Sequence, residues 1–282
     1  MDLLIGYTNF DKVVNDLRSF FYDARHFQIL YLGSFLLMGI FFLQWNTDYL
    51  RYGIIIGVAL LVQMVAAFFT TKNYQSYKSA LITALGLCLL CKTNLYMTGF
   101  IAAAIAIASK FLIRYKNKHI FNPVNFGIVV TIFLTGDAWV SPGQWGSHFV
   151  WIFMLGALGF LVLKKVNRID TSLTFLLVFG GLQFIRTVFY LGWSVDVFIH
   201  QVSSGTLMLF TFFMITDPMT TPNHRNGRIV WATCIAVASF LLSNYMYVYA
   251  APIWVLFFAS PLVPLFDKLF VAKKYEWNFL NK

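Results

Sequence analysis

The stretch YGIIIGVALLVQMVAAFFT, residues 52–70, contains no charged side chain. A helix needs about 20 mostly apolar residues to cross a hydrocarbon core about 30 Å thick, and this run meets that requirement. Apolar runs recur along the chain at about 27–44, 52–70, 79–91, 95–113, 122–136, 148–163, 169–190, 203–216, 229–249 and 252–266. The sequence therefore predicts an all-α polytopic membrane protein with about ten transmembrane segments.

The composition agrees with a membrane protein. Of the 282 residues, 59% are hydrophobic and 11% are charged, whereas soluble domains average about 45–50% apolar and about 25% charged residues. The formal net charge of +10 would in a soluble protein often indicate a nucleic-acid partner. Here the basic residues lie in the short gaps between apolar runs, so we attribute the charge to membrane topology and expect the lipid bilayer, with no nucleic acid, as partner.

The positions of Lys and Arg predict the orientation. If the N-terminus is cytoplasmic and all ten segments cross, every Lys and Arg except Arg51, Lys92 and Arg186 falls on the cytoplasmic side. Cytoplasmic loops of membrane proteins carry an excess of basic residues, and a different number of segments would scramble this alternation. We therefore expect both termini in the cytoplasm.

The N-terminal segment, residues 1–26, mixes acidic and basic residues with scattered apolar ones. We expect no signal peptide, because this region has no uninterrupted apolar core. Apolar side chains at helical spacing over residues 9–25 predict an interfacial helix on the cytoplasmic leaflet. Packing of that helix on the protein's own loops is the alternative.

Four of the apolar runs are too short to cross a bilayer alone, namely 79–91, 122–136, 203–216 and 252–266. Such segments are tolerated in lipid where their ends are buried in protein or line a polar cavity. The third and eighth runs begin at Ser79 and Ser204 and end in polar pairs, and the fifth and tenth runs each begin with a proline. This correspondence predicts an inverted repeat of two five-helix halves, residues 27–136 and 148–266, followed by a cytoplasmic tail, residues 267–282. In such repeats the short segments mark the binding site.

The stretch SSGTLMLFTFFMITDPMTTPNHRNGRIVW, residues 203–231, resembles the C-terminal signature of the membrane subunits of the Rnf and sodium-pumping quinone reductase complexes, the NqrB/RnfD family. Three further pieces resemble the same family: SALIT at 79–83, HIFNP at 119–123 and PLVPLFD at 261–267. The resemblance covers about residues 25–268 in the right order, and the chain is nearest to short stand-alone forms associated with enediyne biosynthesis.

The resemblance implies a flavoprotein that moves electrons within or across the bacterial cytoplasmic (inner) membrane, with coupling to ion transport as an extension. It also implies redox partner proteins, and a homo-oligomer is left open. Large family members attach FMN to a threonine of an S-G-A-T segment after the fifth helix. The corresponding linker here, GDAWVSPGQWGS at 136–147, has no threonine. We therefore expect a non-covalent flavin, FMN or riboflavin, and not covalent FMN.

The resemblance and the ends of the short segments together indicate eight candidate cofactor-binding residues and no metal site. They are Ser79, Thr83, Asn122, Asn125, Ser204, Thr206, Thr216 and Asp217. Asp217 either hydrogen-bonds a flavin or caps a turn before Pro218. Asn122 either places free helix N–H groups against a ligand or serves as an N-cap. The catalytic residues are not predicted.

Other polar residues in or near the apolar runs have simpler interpretations beside functional ones. Lys92 either extends to the membrane interface or faces a cavity. Cys88 and Cys91 are typical of small packing residues. An iron–sulfur cluster is the alternative, but it needs four ligands and the chain has three cysteines, so a dimer would have to supply them. A haem between His148 and His200 is a remote alternative. At the level of the whole protein, the rival to electron transfer is a channel or carrier that uses the same cavity for a small solute.

Overall fold

The structure is a computed structural model that describes residues 23–43, 45, 48–70, 76–142 and 149–275, with the backbone alone for 149–155, 157 and 158. Most of the interfacial helix predicted over residues 9–25 therefore lies outside the described residues. The part of the predicted tail beyond residue 275 also lies outside them. Residues 143–148, which include His148 and part of the linker, lie outside them as well.

The first half of the described chain contains five helices and two pairs of very short strands. In chain order these are α1 (Ala24–Phe41), α2 (Tyr49–Phe69), α3 (Tyr77–Leu90), β1 (Cys91–Thr93), α4 (Tyr96–Leu112), β2 (Arg114–Tyr115), β3 (Lys118–His119), α5 (Pro123–Thr135) and β4 (Ala138–Val140). Helix α2 packs along α4, and α4 packs along α5.

The second half contains seven helices in its described part, and several of them are short or interrupted. They are α6 (Phe149–Val166), α7 (Ile169–Phe184) with a π-helical continuation (Ile185–Tyr190), α8 (Val195–Val202), α9 (Gly205–Leu209) with a π-helical continuation (Phe210–Met214), α10 (Arg225–Tyr245), α11 (Ala251–Ala259), a 3₁₀ turn (Ser260–Leu262) and α12 (Val263–Leu269). Helix α7 packs along α10, and α11 contacts α5 of the first half.

Each of the ten predicted apolar runs coincides with a helix or with an interrupted helix. Within the described residues, five helical units are long and apolar enough to cross a membrane, and a sixth is formed if α8 and α9, which meet at an angle of 54°, count as one bent span. Large apolar side chains such as Phe69, Phe133 and Leu177 are exposed on the outside of the bundle, as expected of a lipid-facing surface. The chain is therefore an all-α multi-pass membrane protein.

At the C-terminal end of the short helix α3, the backbone groups are paired with another segment of the chain. Its 14 residues span about 21 Å at 1.5 Å per residue, which is less than the hydrocarbon core. At its C-terminus the chain continues as β1, which pairs antiparallel with β4 from Cys91 opposite Val140 to Thr93 opposite Ala138. The N–H of Ser141 also donates to the carbonyl of Leu90 at 2.7 Å. The protein itself thus satisfies the end of this helix, as the membrane requires.

Helix α5 begins as its sequence predicts. Asn122 is the N-cap, because its Oδ1 accepts a hydrogen bond from the N–H of Asn125 at 3.2 Å, and Pro123 occupies the first turn. Proline is favoured there because an N–H in the first turn has no acceptor within the helix, so its absence in proline costs no hydrogen bond. Gly136 ends the helix in the left-handed conformation, with φ of 63°.

Gly127 allows α5 to approach α4 closely. A Cβ at this position would lie 2.6 Å from Cβ of Ala106 and 3.0 Å from the carbonyl oxygen of Ala102. Gly127→Ala is therefore expected to force the helices apart and to destabilise the protein by about 1–3 kcal/mol. Gly57→Ala in α2 is the control, because nothing lies within 4 Å of its Cβ and alanine favours helix. Thermal unfolding in detergent should separate the two variants, and equal midpoints would contradict the close packing.

Candidate functional site

Most of the basic residues of the described chain lie at one end of the helix bundle. Arg51, Lys92 and Arg186 lie at the other end, near Thr93, Tyr52 and Asn244. We call the first the basic end and the second the opposite end. Each end contains a cavity that includes predicted site residues.

The basic-end cavity has a volume of about 270 Å³ and lies between α1, α3, α5 and the chain after α9. Its polar lining residues are Arg25, Gln28, Ser76, Ser79, Thr83, Lys110, His119, Asn122 and Asp217. Four of the eight predicted residues, Ser79, Thr83, Asn122 and Asp217, therefore meet here, from three separate short segments.

Helix α3 presents Ser79 and Thr83 to this cavity one turn apart. The hydroxyl of Thr83 donates to the carbonyl oxygen of Ser79 at 3.0 Å. Lys110, in the last turn of α4, donates from Nζ to the same carbonyl at 3.0 Å and to the Ser79 hydroxyl at 3.2 Å. Lys110 is only 4% exposed, and within the described residues it forms no ion pair. The cavity wall thus carries a buried amino group held by neutral oxygen atoms.

Asp217 adds a carboxyl group to the same cavity. Its Oδ2 accepts a hydrogen bond from Nδ2 of Asn122 at 3.2 Å, and its Oδ1 accepts from the N–H of Met219 at 3.0 Å. Burial raises the pKa of Asp217, and the Met219 N–H, the charge of Lys110 and the Asn122 amide partly oppose this rise. The Asn122 side chain therefore caps α5 through Oδ1 and holds Asp217 through Nδ2. Both functions weighed for Asn122 and Asp217 from the sequence are compatible in this geometry.

His119 adds a neutral ring to the same cavity. Burial, together with the charges of Lys110 and Arg114, lowers the pKa of His119 to about 3, so the imidazole is uncharged at neutral pH. Its Nδ1 is buried and has no hydrogen-bond partner among the described residues. An unsatisfied buried acceptor or donor is costly, so this atom is a candidate for contact with a ligand.

Ser204 and Thr206 lie at the opposite end and not in the basic-end cavity. They line a second cavity of about 290 Å³, the opposite-end cavity, together with Gln201, Ser243, Tyr249 and the start of α11. Ser204 is the N-cap of α9, since its Oγ accepts from the N–H of Leu207 at 3.5 Å. The Thr206 hydroxyl donates to the carbonyl of Ser141 at 2.5 Å. Six of the eight predicted residues are thus divided between two cavities, four at the basic end and two at the opposite end.

Asn125 and Thr216 line neither cavity in the described structure. The Asn125 amide donates to the carbonyl of Ile253 at 2.8 Å and joins α5 to α11. The Thr216 hydroxyl donates to the carbonyl of Phe212 at 2.6 Å, a capping contact within its own segment. The structure therefore places these two residues beside the cavities as parts of the framework.

The remaining polar residues singled out in the sequence occupy ordinary positions. Lys92 donates from Nζ to the Tyr52 hydroxyl at 3.3 Å and lies over the ring of Trp45. Cys88 and Cys91 are buried free thiols. No cluster of three or more His, Cys, Asp or Glu side chains that could hold a metal occurs in the described part of the chain.

The fold and the cavities define a multi-pass membrane protein with a cavity lined in part by polar side chains at each end of the helix bundle. The sequence profile of the NQR2, RnfD, RnfE family matches residues 131–276. The chain belongs to this family, as the motifs indicate. The match includes Asp217 and the opposite-end residues Ser204 and Thr206, but not Ser79, Thr83 or Asn122.

The chain is similar to several proteins that are named as a subunit of an ion-translocating oxidoreductase complex. It is 26% identical to that of Stutzerimonas stutzeri over 147 residues, which cover 50% of this chain and 40% of the relative. It is 34% identical to that of Buchnera aphidicola subsp. Acyrthosiphon pisum (strain 5A) over 130 residues, which cover 45% of this chain and 36% of the relative. The matched region thus spans less than half the length of these relatives.

Proposed function

We propose that this chain is a membrane electron-transfer subunit that holds a non-covalent flavin in the basic-end cavity. The observation that carries the proposal is the convergence of Ser79, Thr83, Asn122 and Asp217 on one cavity that Lys110 and His119 also line. These residues come from segments far apart in the chain. They place an amino group, a carboxyl group and an unsatisfied imidazole nitrogen around the same space.

These groups suit a flavin ring. The ring has an N–H that can donate a hydrogen bond to a carboxylate such as Asp217, and it has oxygen and nitrogen atoms that can accept hydrogen bonds from Lys110. The cavity volume of about 270 Å³ lies just below the range of about 300–1,000 Å³ typical of ligand pockets. The cavity therefore fits a compact ring system better than a large dinucleotide.

The bound flavin would supply the capacity to accept and release electrons. The chain's own residues would bind and orient the ring and exclude water from it. The charge of Lys110 would favour an anionic reduced ring and so raise its reduction potential. The carboxyl of Asp217, whose pKa burial raises, would act in the opposite direction when ionised. The balance of these two groups would set the potential.

The two cavities also support the inverted repeat. The starts of α3 and α5 line the basic-end cavity, and the starts of α9 and α11, the corresponding helices of the second half, line the opposite-end cavity. We therefore extend the proposal to ten membrane-embedded segments in two halves, with the basic end in the cytoplasm according to the positive-inside rule. The names of the relatives support protein partners in an oxidoreductase complex and coupling to ion translocation. The location that we propose, the bacterial inner membrane, is the one that the family resemblance implies.

An optical spectrum of the purified protein tests the proposal. A non-covalent flavin gives a yellow protein whose chromophore is released on denaturation, and the mass of the denatured chain is that of the unmodified polypeptide. A chain mass increased by an attached FMN would contradict the non-covalent part of the proposal. A colourless protein, even after incubation with riboflavin or FMN, would refute the flavin, and admission of solutes into liposomes would then favour a channel.

A further inference from the structure

A second feature of the basic end is an open cleft of about 1,100 Å³, the basic cleft, which the proposed flavin site does not use. It lies where α6 ends, where α7 and α10 begin and where the chain leaves α12. Six Lys and Arg residues line it, namely Lys165, Arg168, Arg225, Arg228, Lys273 and Lys274. Asp23 is the acidic residue of its described lining.

The nearby carboxylates are already bound to other cations. Asp23 pairs with Arg25 at 2.8 Å and with Lys78 at 3.2 Å. Asp170, beside the cleft, pairs with Arg228 at 2.6 Å. Arg168 forms no ion pair among the described residues. The cleft therefore has an excess of positive charge that the described chain does not neutralise.

Arg168 is held in place as a binding residue would be. It is 4% exposed, its guanidinium lies 5.3 Å from the centroid of the Tyr275 ring, and its Nη1 donates to the carbonyl of Asn167 at 3.1 Å. Its Nε is buried without a hydrogen-bond partner among the described residues. Burial and the charge of Arg228 lower the pKa of Arg168 to about 10, so it stays protonated at neutral pH. A planar guanidinium with an unused donor matches the oxygen atoms of a phosphate.

We propose that the basic cleft binds the phosphate of an anionic phospholipid headgroup. The cleft lies at the ends of membrane helices, which is the depth at which headgroups lie, and basic pockets between such helices bind anionic headgroups. The position of Arg168 argues against a docked acidic protein, because a small phosphate enters a concave cleft and reaches a nearly buried side chain more readily than a folded surface does. The net negative charge of phosphatidylglycerol, in contrast to phosphatidylcholine, complements the excess cations.

Native mass spectrometry of the delipidated full chain tests this proposal. The protein in detergent is titrated with phosphatidylglycerol, with phosphatidylcholine and with inorganic phosphate. We expect adducts with phosphatidylglycerol at concentrations at which phosphatidylcholine does not bind, and we expect Arg168→Gln to weaken them about tenfold, because hydrogen bonds to charged groups are strong. Inorganic phosphate should compete only weakly, since it lacks the glycerol and acyl parts of the lipid.

Arg186→Gln is the matched control. Arg186 lies at the opposite end, its guanidinium is 5.4 Å from the Tyr245 ring, and its Nε is likewise buried without a partner among the described residues. This variant should bind phosphatidylglycerol as the parent does. If Arg168→Gln does not fold, the exposed pair Arg225→Gln and Lys273→Gln replaces it, with Lys116→Gln and Lys164→Gln as a control outside the cleft that removes the same charge.

Any of four results would overturn the proposal. The first is equal binding of phosphatidylglycerol and phosphatidylcholine. The second is equal loss of binding in the cleft variants and in their controls, which would indicate a general effect of charge. The third is inorganic phosphate that binds as tightly as the lipid, which would indicate a soluble phosphate site. Binding of an acidic partner protein in place of phosphatidylglycerol, abolished by the cleft variants alone, would identify a protein-docking surface and refute the lipid site.

Discussion

Replacement of Lys110 by Met is expected to reduce the flavin retained by the purified protein about tenfold or more, on the scale of one lost hydrogen bond to a charged group. Methionine keeps the length of the buried side chain and removes the cation. In the parent, Nζ is fixed by two hydrogen bonds to Ser79 and faces the basic-end cavity. The ratio of flavin absorbance to protein absorbance after gel filtration measures the effect.

Lys92→Met is the matched control for this variant. Lys92 is also partly buried at a helix end, but it lies at the opposite end and donates to the Tyr52 hydroxyl. It should retain flavin as the parent does. Asp217→Asn provides a second test within the cavity, because it removes the carboxylate and keeps the hydrogen-bonding shape. Full flavin retention in both Lys110→Met and Asp217→Asn would place the flavin elsewhere in the protein.

The membrane class of the fold was accessible from the sequence because it depends on composition and on the length of apolar runs. The ten runs all coincide with helical units, since a backbone in lipid must hydrogen-bond within its own segment. The interruptions were less accessible. The π-helical continuation Phe210–Met214 and the bend between α8 and α9 depend on contacts with neighbouring helices. The antiparallel pairing of Cys91–Thr93 with Ala138–Val140 likewise could not be predicted, because these two segments are far apart in the sequence and no local pattern indicates that they pair.

The candidate site was predicted in part. Asn122 and Asp217 stood out because a polar residue beside a proline at the end of an apolar run is unusual, and the structure brings their side chains within 3.2 Å. Lys110 was interpreted only as a marker of orientation, because a lysine at the end of an apolar run is common at the cytoplasmic surface. His119 was noted within a family motif and not as a site residue. Their three-dimensional proximity to Ser79 has no signature in sequence spacing.

Ser204 and Thr206 were predicted as site residues, but the sequence did not predict which cavity they line. Ser204 aligns with Ser79 when the eighth apolar run is compared with the third. In a parallel repeat, the pair Ser204 and Thr206 and the pair Ser79 and Thr83 would therefore meet at one site. Each pair lies at the start of its helix, but α3 begins at the basic end and α9 begins at the opposite end. The similarity of the two stretches therefore indicates that α3 and α9 are corresponding helices of the two halves. Which cavity each pair of residues lines depends instead on the direction in which its helix enters the bundle.

Disruption of the ion pair between Arg228 and Asp170 is expected to cause the largest loss of stability. Arg228 donates from Nε and Nη2 to the Asp170 carboxylate at 2.6–3.2 Å and from Nη1 to the carbonyl of Asn223 at 2.7 Å. The side chains of Arg228 and Asp170 are 7% and 12% exposed. The pair joins the first turns of α7 and α10, two helices that pack along each other.

Arg228→Leu is expected to lower the free energy of unfolding by about 3–5 kcal/mol, because loss of one partner leaves a buried charge uncompensated. The double variant Asp170→Leu with Arg228→Leu should recover much of this loss, since it removes both charges from the low-dielectric interior. Arg225→Leu, on an exposed site one turn earlier in α10, should change stability by less than about 0.5 kcal/mol. Reversible unfolding in mixed micelles with SDS measures all three. A double variant no more stable than Arg228→Leu would show that the single variant acts through lost packing or the Asn223 contact, because an uncompensated charge on Asp170 would no longer be present to explain it.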